Sequence, residues 1–353
     1  MSVTAEKPNI RSLSFKEVSD FFSLHKAPSF RAKQVYEWLW KKSARSFVEM
    51  SNLPKALREL LEANFSIHAV QVDQKQVSSD GTIKNAFRLY DGNRIEGVLI
   101  PAADRMTACV SSQVGCSLTC KFCATGKLDR IRNLDADEIY DQVVMIRDQA
   151  MQHYKTPLTN IVYMGMGEPL LNYSEVIRSI EHITSPEGLG MSPKRITVST
   201  AGIAKMIKKL GDDEVKFNLA LSLHAANDEK RSKIMPINDS NSLESLAEAL
   251  KHFCAKTGTK VTFEYIVFRD FNDTIEDAKD LALFCKNVAS KVNLIEYNPI
   301  EKDGFLNAEE NKIENFKKYL ESRNIIVNIR RSRGKDIDAA CGQLANKTQK
   351  AEA

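Results

Sequence analysis

Cys116, Cys120 and Cys123 lie in the run GCSLTCKFCATG (115–126), a C-x3-C-x2-C spacing. Three thiolates on one short loop suit an iron–sulfur cluster, whose irons take cysteine sulfur as ligand. A 4Fe-4S cube has four irons, so three cysteines leave one iron open to an outside donor. Two plainer readings compete: a structural zinc completed by a histidine, or reduced thiols packed in a core. A zinc loop ordinarily brings its ligands as two pairs, and no second pair occurs. His68 and His153, the nearest histidines, are far off in the chain. Ligand number and spacing favour the cluster.

A loop of this kind needs a frame that holds it still. From Met106 onward, short apolar β-branched runs at 107–111, 160–164, 195–199, 217–223, 260–268, 292–297 and 325–330 alternate with helix-patterned stretches. Those stretches lie near 136–149, 175–183, 203–210, 243–256, 275–286 and 311–323. Strand then helix, repeated about six times, predicts a parallel sheet with right-handed crossovers. The expected fold class is α/β, a partial (βα)6-type barrel with its active site at the C-terminal ends of the strands. The triplet follows the first of these strands directly.

Upstream, 71–100 changes to period two, with the turn Asp91-Gly92-Asn93-Arg94 between two apolar runs, which predicts a β-hairpin. Residues before it read as a small helical domain: Ser14 with Glu17 forms a capping pattern, and Val35, Trp38 and Leu39 share a face. The expected division is a helical accessory domain over 1–70, suited to positioning RNA, a hairpin linker over 71–104, the barrel with its C-terminal loop over 105–345, and a tail over 346–353.

After the second barrel strand comes MGMGEPLLN (164–172). Glycines there let backbone approach a ligand, and Glu168 beside Gly167 can accept hydrogen bonds from an ammonium group. The same residues also make an ordinary strand-to-helix turn, with Pro169 opening the helix. Ser199, Ser222-Leu223-His224 and Asn298 fall at the same strand-end level in later units, where caps and turns also favour such residues.

The triplet resembles that of the radical S-adenosylmethionine superfamily, in which the amino and carboxylate groups of that molecule fill the open iron position. The longer segments DRMTACVSSQVGC (104–116), MGMGEPLLN and GKDIDAACGQL (334–344) resemble the ribosomal RNA adenine carbon-2 methyltransferases, known also to act on transfer RNA. The resemblance runs from about residue 30 to 344 and implies a radical βα barrel with a helical N-terminal domain. It implies one 4Fe-4S cluster on Cys116, Cys120 and Cys123, and S-adenosylmethionine bound by Gly167, Glu168, Ser199, Ser222, Leu223, His224 and Asn298.

It further implies the catalytic set. Adenine carbon 2 lies between two ring nitrogens and is too electron-poor to attack a methyl sulfonium, whereas a thiolate accepts a methyl group readily. Cys341 matches the family residue that becomes S-methylcysteine, Cys109 the cysteine that later takes its sulfur into a disulfide, and Glu96 the proton acceptor. Without the resemblance, Cys109 reads as a buried strand thiol and Glu96 as an exposed strand carboxylate. Cys254 and Cys285, in helix-patterned segments, are expected in the core.

Composition bounds the rest. The chain has 353 residues, 43% of them hydrophobic and 27% charged, which suits a globular protein. No eighteen-residue apolar run appears and the N-terminus lacks a signal-peptide core, so no membrane association and a cytoplasmic location are expected. Net charge is only +4, so charge alone does not point to nucleic acid; the cluster Arg330, Arg331, Arg333 and Lys335 either contacts RNA or holds the C-terminal loop, and Lys205, Lys208 and Lys209 read as a solvated face. The partners implied by the resemblance are 23S ribosomal RNA, transfer RNA and an electron donor protein. Two alternatives stand beside the leading reading: the related adenine carbon-8 methyltransferases of antibiotic resistance, and a non-catalytic metal-bearing RNA-binding module.

Overall fold

The computed structural model describes residues 7–301 and 304–346, so all of the expected tail except Asn346 lies outside the described residues. Three helices open the chain, α1 (Phe15–Leu24), α2 (Phe30–Trp40) and α3 (Lys55–Asn64). Ser14 and Glu17 close the expected capping box, each satisfying a free amide at the start of α1. Val18, Phe22, Val35, Leu39 and Leu61 pack together behind them.

The strands that follow are β1 (Gln71–Val77), β2 (Ile83–Arg88), β3 (Arg94–Ala102), β4 (Arg105–Cys109), the short β5 (Gln113–Val114) and β6 (Arg132–Asn133), then β7 (Asn160–Tyr163), β8 (Ile196–Thr200), β9 (Asn218–Ser222), β10 (Val261–Ile266), β11 (Ser290–Ile295) and β12 (Ile326–Arg330). Ten of them form one sheet in the order β1-β2-β3-β4-β7-β8-β9-β10-β11-β12, and β5 pairs with β6 as a separate ribbon. Contacts from β4 through β12 are parallel. Those from β1 to β4 are antiparallel. The turn at Asp91 does form a hairpin, β2–β3, yet that hairpin continues the barrel's sheet because both its edges find partners.

Crossovers run through α4 (Ala136–Tyr154), α5 (Tyr173–Thr184), α6 (Ala204–Asp212), α7 (Asp228–Ile234), α8 (Leu243–Thr257), α9 (Ile275–Cys285) and α10 (Glu310–Glu321). With helices outside and the sheet curling around its inner face, β10 is buried at all six positions, as a parallel strand covered on both faces must be. Only α7 was not expected; its seven residues, DEKRSKI, carry too little apolar pattern to announce a helix. No helix among the described residues is long and apolar enough to cross a membrane.

The sheet is open, and polar bonds rather than strand pairing draw its two ends together. Asp336, in the turn after β12, accepts from Ser78 Oγ at 2.5 Å and from the Ser79 amide at 3.0 Å. Gly334 N–H donates to Asp80 at 2.9 Å. These residues sit in the β1–β2 turn, so the C-terminal loop is pinned across the gap.

Buried charge docks the helical region on the barrel. Arg11, 1% exposed, reaches Asp141 at 2.6 Å and Asp137 at 3.9 Å, both on α4, under the ring of Trp40. Burial opposes the Arg11 charge, but the two carboxylates outweigh it and raise its pKa. Trp40 in turn stacks on His182 of α5, ring centroids 3.5 Å apart. Arg11→Met should strand two buried carboxylates and lower stability by about 3–5 kcal/mol, read as a shifted denaturant midpoint; an unchanged midpoint would show that the docking rests on apolar packing alone.

Candidate active site

The β5–β6 ribbon pinches the base of the cysteine loop. Gly115 has φ +75, and a Cβ there would lie 2.0 Å from the carbonyl oxygen of Asp129, so only glycine lets the two legs close. Above it the loop is bonded to the rest of the barrel: Lys121 N–H to Ile234 at 3.0 Å and Ala124 N–H to Gly342 at 2.7 Å. Cys116, Cys120 and Cys123 line one open cavity at the strand ends.

Burial, and then one another's charge, push the thiols of Cys116 and Cys120 up, Cys116 to about 11. Burial also raises Cys123, with Cys341 adding to it. Such thiols lose their protons when a metal centre binds them and keep them otherwise. Among the described residues no three cysteine, histidine or acidic groups converge as a single metal ion requires. A cube fits this arrangement, since each thiolate meets its own iron and one iron is left for another donor.

The glycine-rich turn forms the next wall. Gly167 has φ +95, and a Cβ there would meet Gln113 at 2.5 Å. Glu168 is 4% exposed; its carboxylate accepts from the amides of Leu170 at 3.0 Å and Ala201 at 2.8 Å, which bind β7's end to β8's. Burial raises its pKa while those amides and the Thr200 hydroxyl pull it down. With three donors on its two oxygens, the carboxylate keeps one lone pair for a further donor.

Ser199 and Ser222, at the ends of β8 and β9, lie with hydroxyls 3.3 Å apart on the cavity wall. His224 lines it too, in a left-handed conformation of φ +54. Burial, and then Arg231, push this imidazole down to about 3. It is therefore neutral, and because Nδ1 accepts from the Ile266 amide at 3.0 Å the proton sits on Nε2. The Leu223 side chain is wholly buried in the core and only its main chain is near, the carbonyl accepting from Arg231. Asn298 does not line this cavity; its amide donates to the Cys341 carbonyl at 3.1 Å, while its own buried oxygen has no partner.

Arg231 escaped the sequence reading. Fully buried on α7, it donates to the carbonyls of Ala201, Ser222 and Leu223 and to Asn238, and so fixes the ends of β8 and β9. Its signal was lost in a short run of charges that looks like surface.

Cys109, at the end of β4, and Cys341, on the exposed loop, line one adjoining cavity together with Arg330 and Cys123. Both thiols are free. Burial first, then the charge of Cys341, push Cys109 up to about 12, opposed by Arg330. The guanidinium of Arg330 is held by Glu264 at 3.4 Å. Arg331 pairs with Glu310, Lys335 with Glu296 at 2.8 Å, and Arg333 donates to Asp80, so the basic run holds the C-terminal loop. Lys208 and Lys209 pair with Glu248 and Asp213 on the surface, and Cys285 is buried while Cys254 is half-buried.

Glu96 is 3% exposed rather than solvated, one step beyond Val98, the strand partner of Cys109. It lines neither cavity directly: Ala345 N–H bonds to its carboxylate at 2.9 Å, and the Lys84 ammonium stands 3.7 Å away. Lys84 was also missed, although period two places it on the same strand face as Ala86.

A model of the radical SAM superfamily matches residues 110–284, and one described as the ribosomal RNA large subunit methyltransferase N-terminal domain matches 8–67. A probable dual-specificity RNA methyltransferase RlmN of Cytophaga hutchinsonii is 65% identical over 99% of this chain and 96% of its own. The dual-specificity RNA methyltransferase RlmN of Aliarcobacter butzleri is 43% identical over 96% and 97%. The crystal structure of a radical SAM methyltransferase from Sphaerobacter thermophilus superposes with a TM-score of 0.90 at 38% identity, covering 96% of this chain and 99% of that one. Superfamily membership implies a 4Fe-4S cluster and S-adenosylmethionine. With the thiol triplet, the second cysteine pair and these full-length relatives in agreement, the chain belongs to the RlmN family of radical SAM RNA methyltransferases.

Proposed function

We propose that this enzyme methylates carbon 2 of an adenine in 23S ribosomal RNA and in transfer RNA, in the cytoplasm, with Cys341 carrying the methyl group. The observation that supports this best is the meeting of Cys109 and Cys341, from opposite ends of the barrel, in a cavity that Cys123 also lines. A base attacked in this way must leave its stack, so the substrate is an adenine in an unpaired loop.

Cys116, Cys120 and Cys123 would hold the cluster, with Gly167, Glu168, Ser199, Ser222, His224, the Leu223 main chain and Asn298 around S-adenosylmethionine. Bound there, the cluster supplies an electron that makes of this cosubstrate a 5'-deoxyadenosyl radical, able to take a hydrogen atom from a thioether methyl. Glu168, with one lone pair to spare, receives the ammonium; neutral His224 offers a donor at Nε2. Asn298 holds the Cys341 carbonyl with its amide and keeps its side-chain oxygen for a further donor.

The Cys341 thiolate attacks the methyl carbon of one S-adenosylmethionine; the methyl–sulfonium bond breaks with its pair on the departing sulfur, and S-adenosylhomocysteine leaves. The methylene radical made from it joins carbon 2 and links protein to RNA. Once that adduct has passed its odd electron to a one-electron carrier, the Glu96 carboxylate accepts the carbon-2 proton. Cys109 sulfur then bonds to Cys341 sulfur, and the sulfur–carbon bond breaks with its pair on carbon, which takes up a proton to become the methyl group. The resulting disulfide takes two electrons from a donor protein before the next turnover.

Cys341→Ala should abolish RNA methylation while 5'-deoxyadenosine still forms; methylation at the normal rate would refute its role as carrier. Cys109→Ala should accumulate a covalent protein–RNA adduct, visible as a band shifted on a denaturing gel and removed by ribonuclease. Turnover without bound RNA would overturn the assignment of Cys109. Cys116→Ala, reconstituted without oxygen, should lose the iron of about four atoms per chain expected for the parent, and nucleoside mass spectrometry should identify 2-methyladenosine as the product, with the 8-methyl isomer as the contrary result.

A further inference from the structure

Pairing across three strands places Lys84 opposite Val98 and Val98 opposite Cys109. Side chains in such a row share one face of the sheet, and Glu96, two residues from Val98, lies on that face as well. Lys84 is only 8% exposed. Its ammonium stands 3.7 Å from one Glu96 oxygen and 3.5 Å from the carbonyl of Asp338. The other Glu96 oxygen accepts the Ala345 amide at 2.9 Å.

Asp338 and Ala345 flank Cys341 on its own loop. The ion pair thus grips the methyl-carrying loop on both sides, the lysine before Cys341 and the glutamate after it. An ammonium this deeply buried is costly unless paired, and nothing in the packing of the strand calls for one.

We propose that Lys84 is a positioning residue for the release of the methylated base: it fixes the Glu96 carboxylate in place and sets the Cys341 loop over it. This rests on the reading of Glu96 as proton acceptor and Cys341 as carrier. Methyl transfer to the Cys341 sulfur needs neither contact, so Lys84 acts after that step.

Lys84→Met and the more polar Lys84→Gln test this in the reconstituted full-length enzyme with an RNA stem–loop presenting an unpaired adenine. Both should still gain a methyl group on Cys341, read by mass spectrometry of the protein. Both should turn over about 10- to 100-fold more slowly, as expected when a general base is misplaced, with the protein–RNA adduct accumulating. Lys84→Arg, which keeps the charge, should recover most of the rate and clear the adduct. Normal turnover in the neutral variants, or an arginine variant as slow as they are, would overturn the proposal. Glu96→Gln separates the two layers: if it is slow while Lys84→Met is normal, only the lysine assignment falls, whereas a normal Glu96→Gln removes the base on which the proposal stands.

Discussion

The bonds between the β1–β2 turn and the chain after β12 are the constraint on which the active site depends. An open sheet of ten strands leaves its first and last strands unpaired with each other, and nothing in strand pairing would bring residue 341 over residue 109. Asp336 on Ser78 and Ser79, and Asp80 on Gly334, do so. They tie a loop of the last strand to a turn of the first pair. Cys341 then falls beside Cys109, with Asn298 holding its carbonyl from a third direction. These are polar bonds at a partly wet surface, each worth about 1 kcal/mol. They therefore set the loop's place through number and direction rather than depth of burial.

Buried charge does the corresponding work at the strand ends. Glu168 bonds the end of β7 to that of β8, and Arg231 bonds β8 to β9 through main-chain carbonyls. Neither group gains much from burial itself, because desolvation costs as much as the bonds return. Their effect is on geometry: carbonyls and hydroxyls at three successive strand ends face one cavity. Arg330 plays a related part between Glu264 and the two thiols, where its charge opposes the burial of Cys109. A hydrophobic core alone would fill the barrel without fixing which polar groups stand at its mouth.

Most of this architecture could be read from the chain. The parallel strands and their helices were legible because β-branched runs such as VTFEYI alternate with long amphipathic stretches, and both periods are strong over such lengths. The cysteine triplet was legible because ligand chemistry demands a fixed spacing. The hairpin at Asp91 was visible as a turn, but its merger with the barrel was not, since edge pairing depends on partners distant in sequence. Glu96 looked exposed for the same reason: what covers it, Ala345, comes nearly 250 residues later. Arg231 and Lys84 were missed because a charged residue is taken for surface unless a long-range partner is known. That Cys109 and Cys341 would meet rested on family resemblance alone.

The loop around Cys341 is fastened by charged and neutral groups together: Lys84 on the Asp338 carbonyl, the Glu96 carboxylate on the Ala345 amide, and the side-chain amides of Gln343 and Asn346 on the carbonyls of Pro299 and Arg94. Each of those fastenings is also a group that ribose, base edges or water can satisfy. Ala339, Ala340 and Leu344 beside them are buried, so apolar packing seats the loop as well. Lifting residue 341 away from the strands would uncover that apolar surface as well as exchange polar partners, which makes the loop's present seat its rest position.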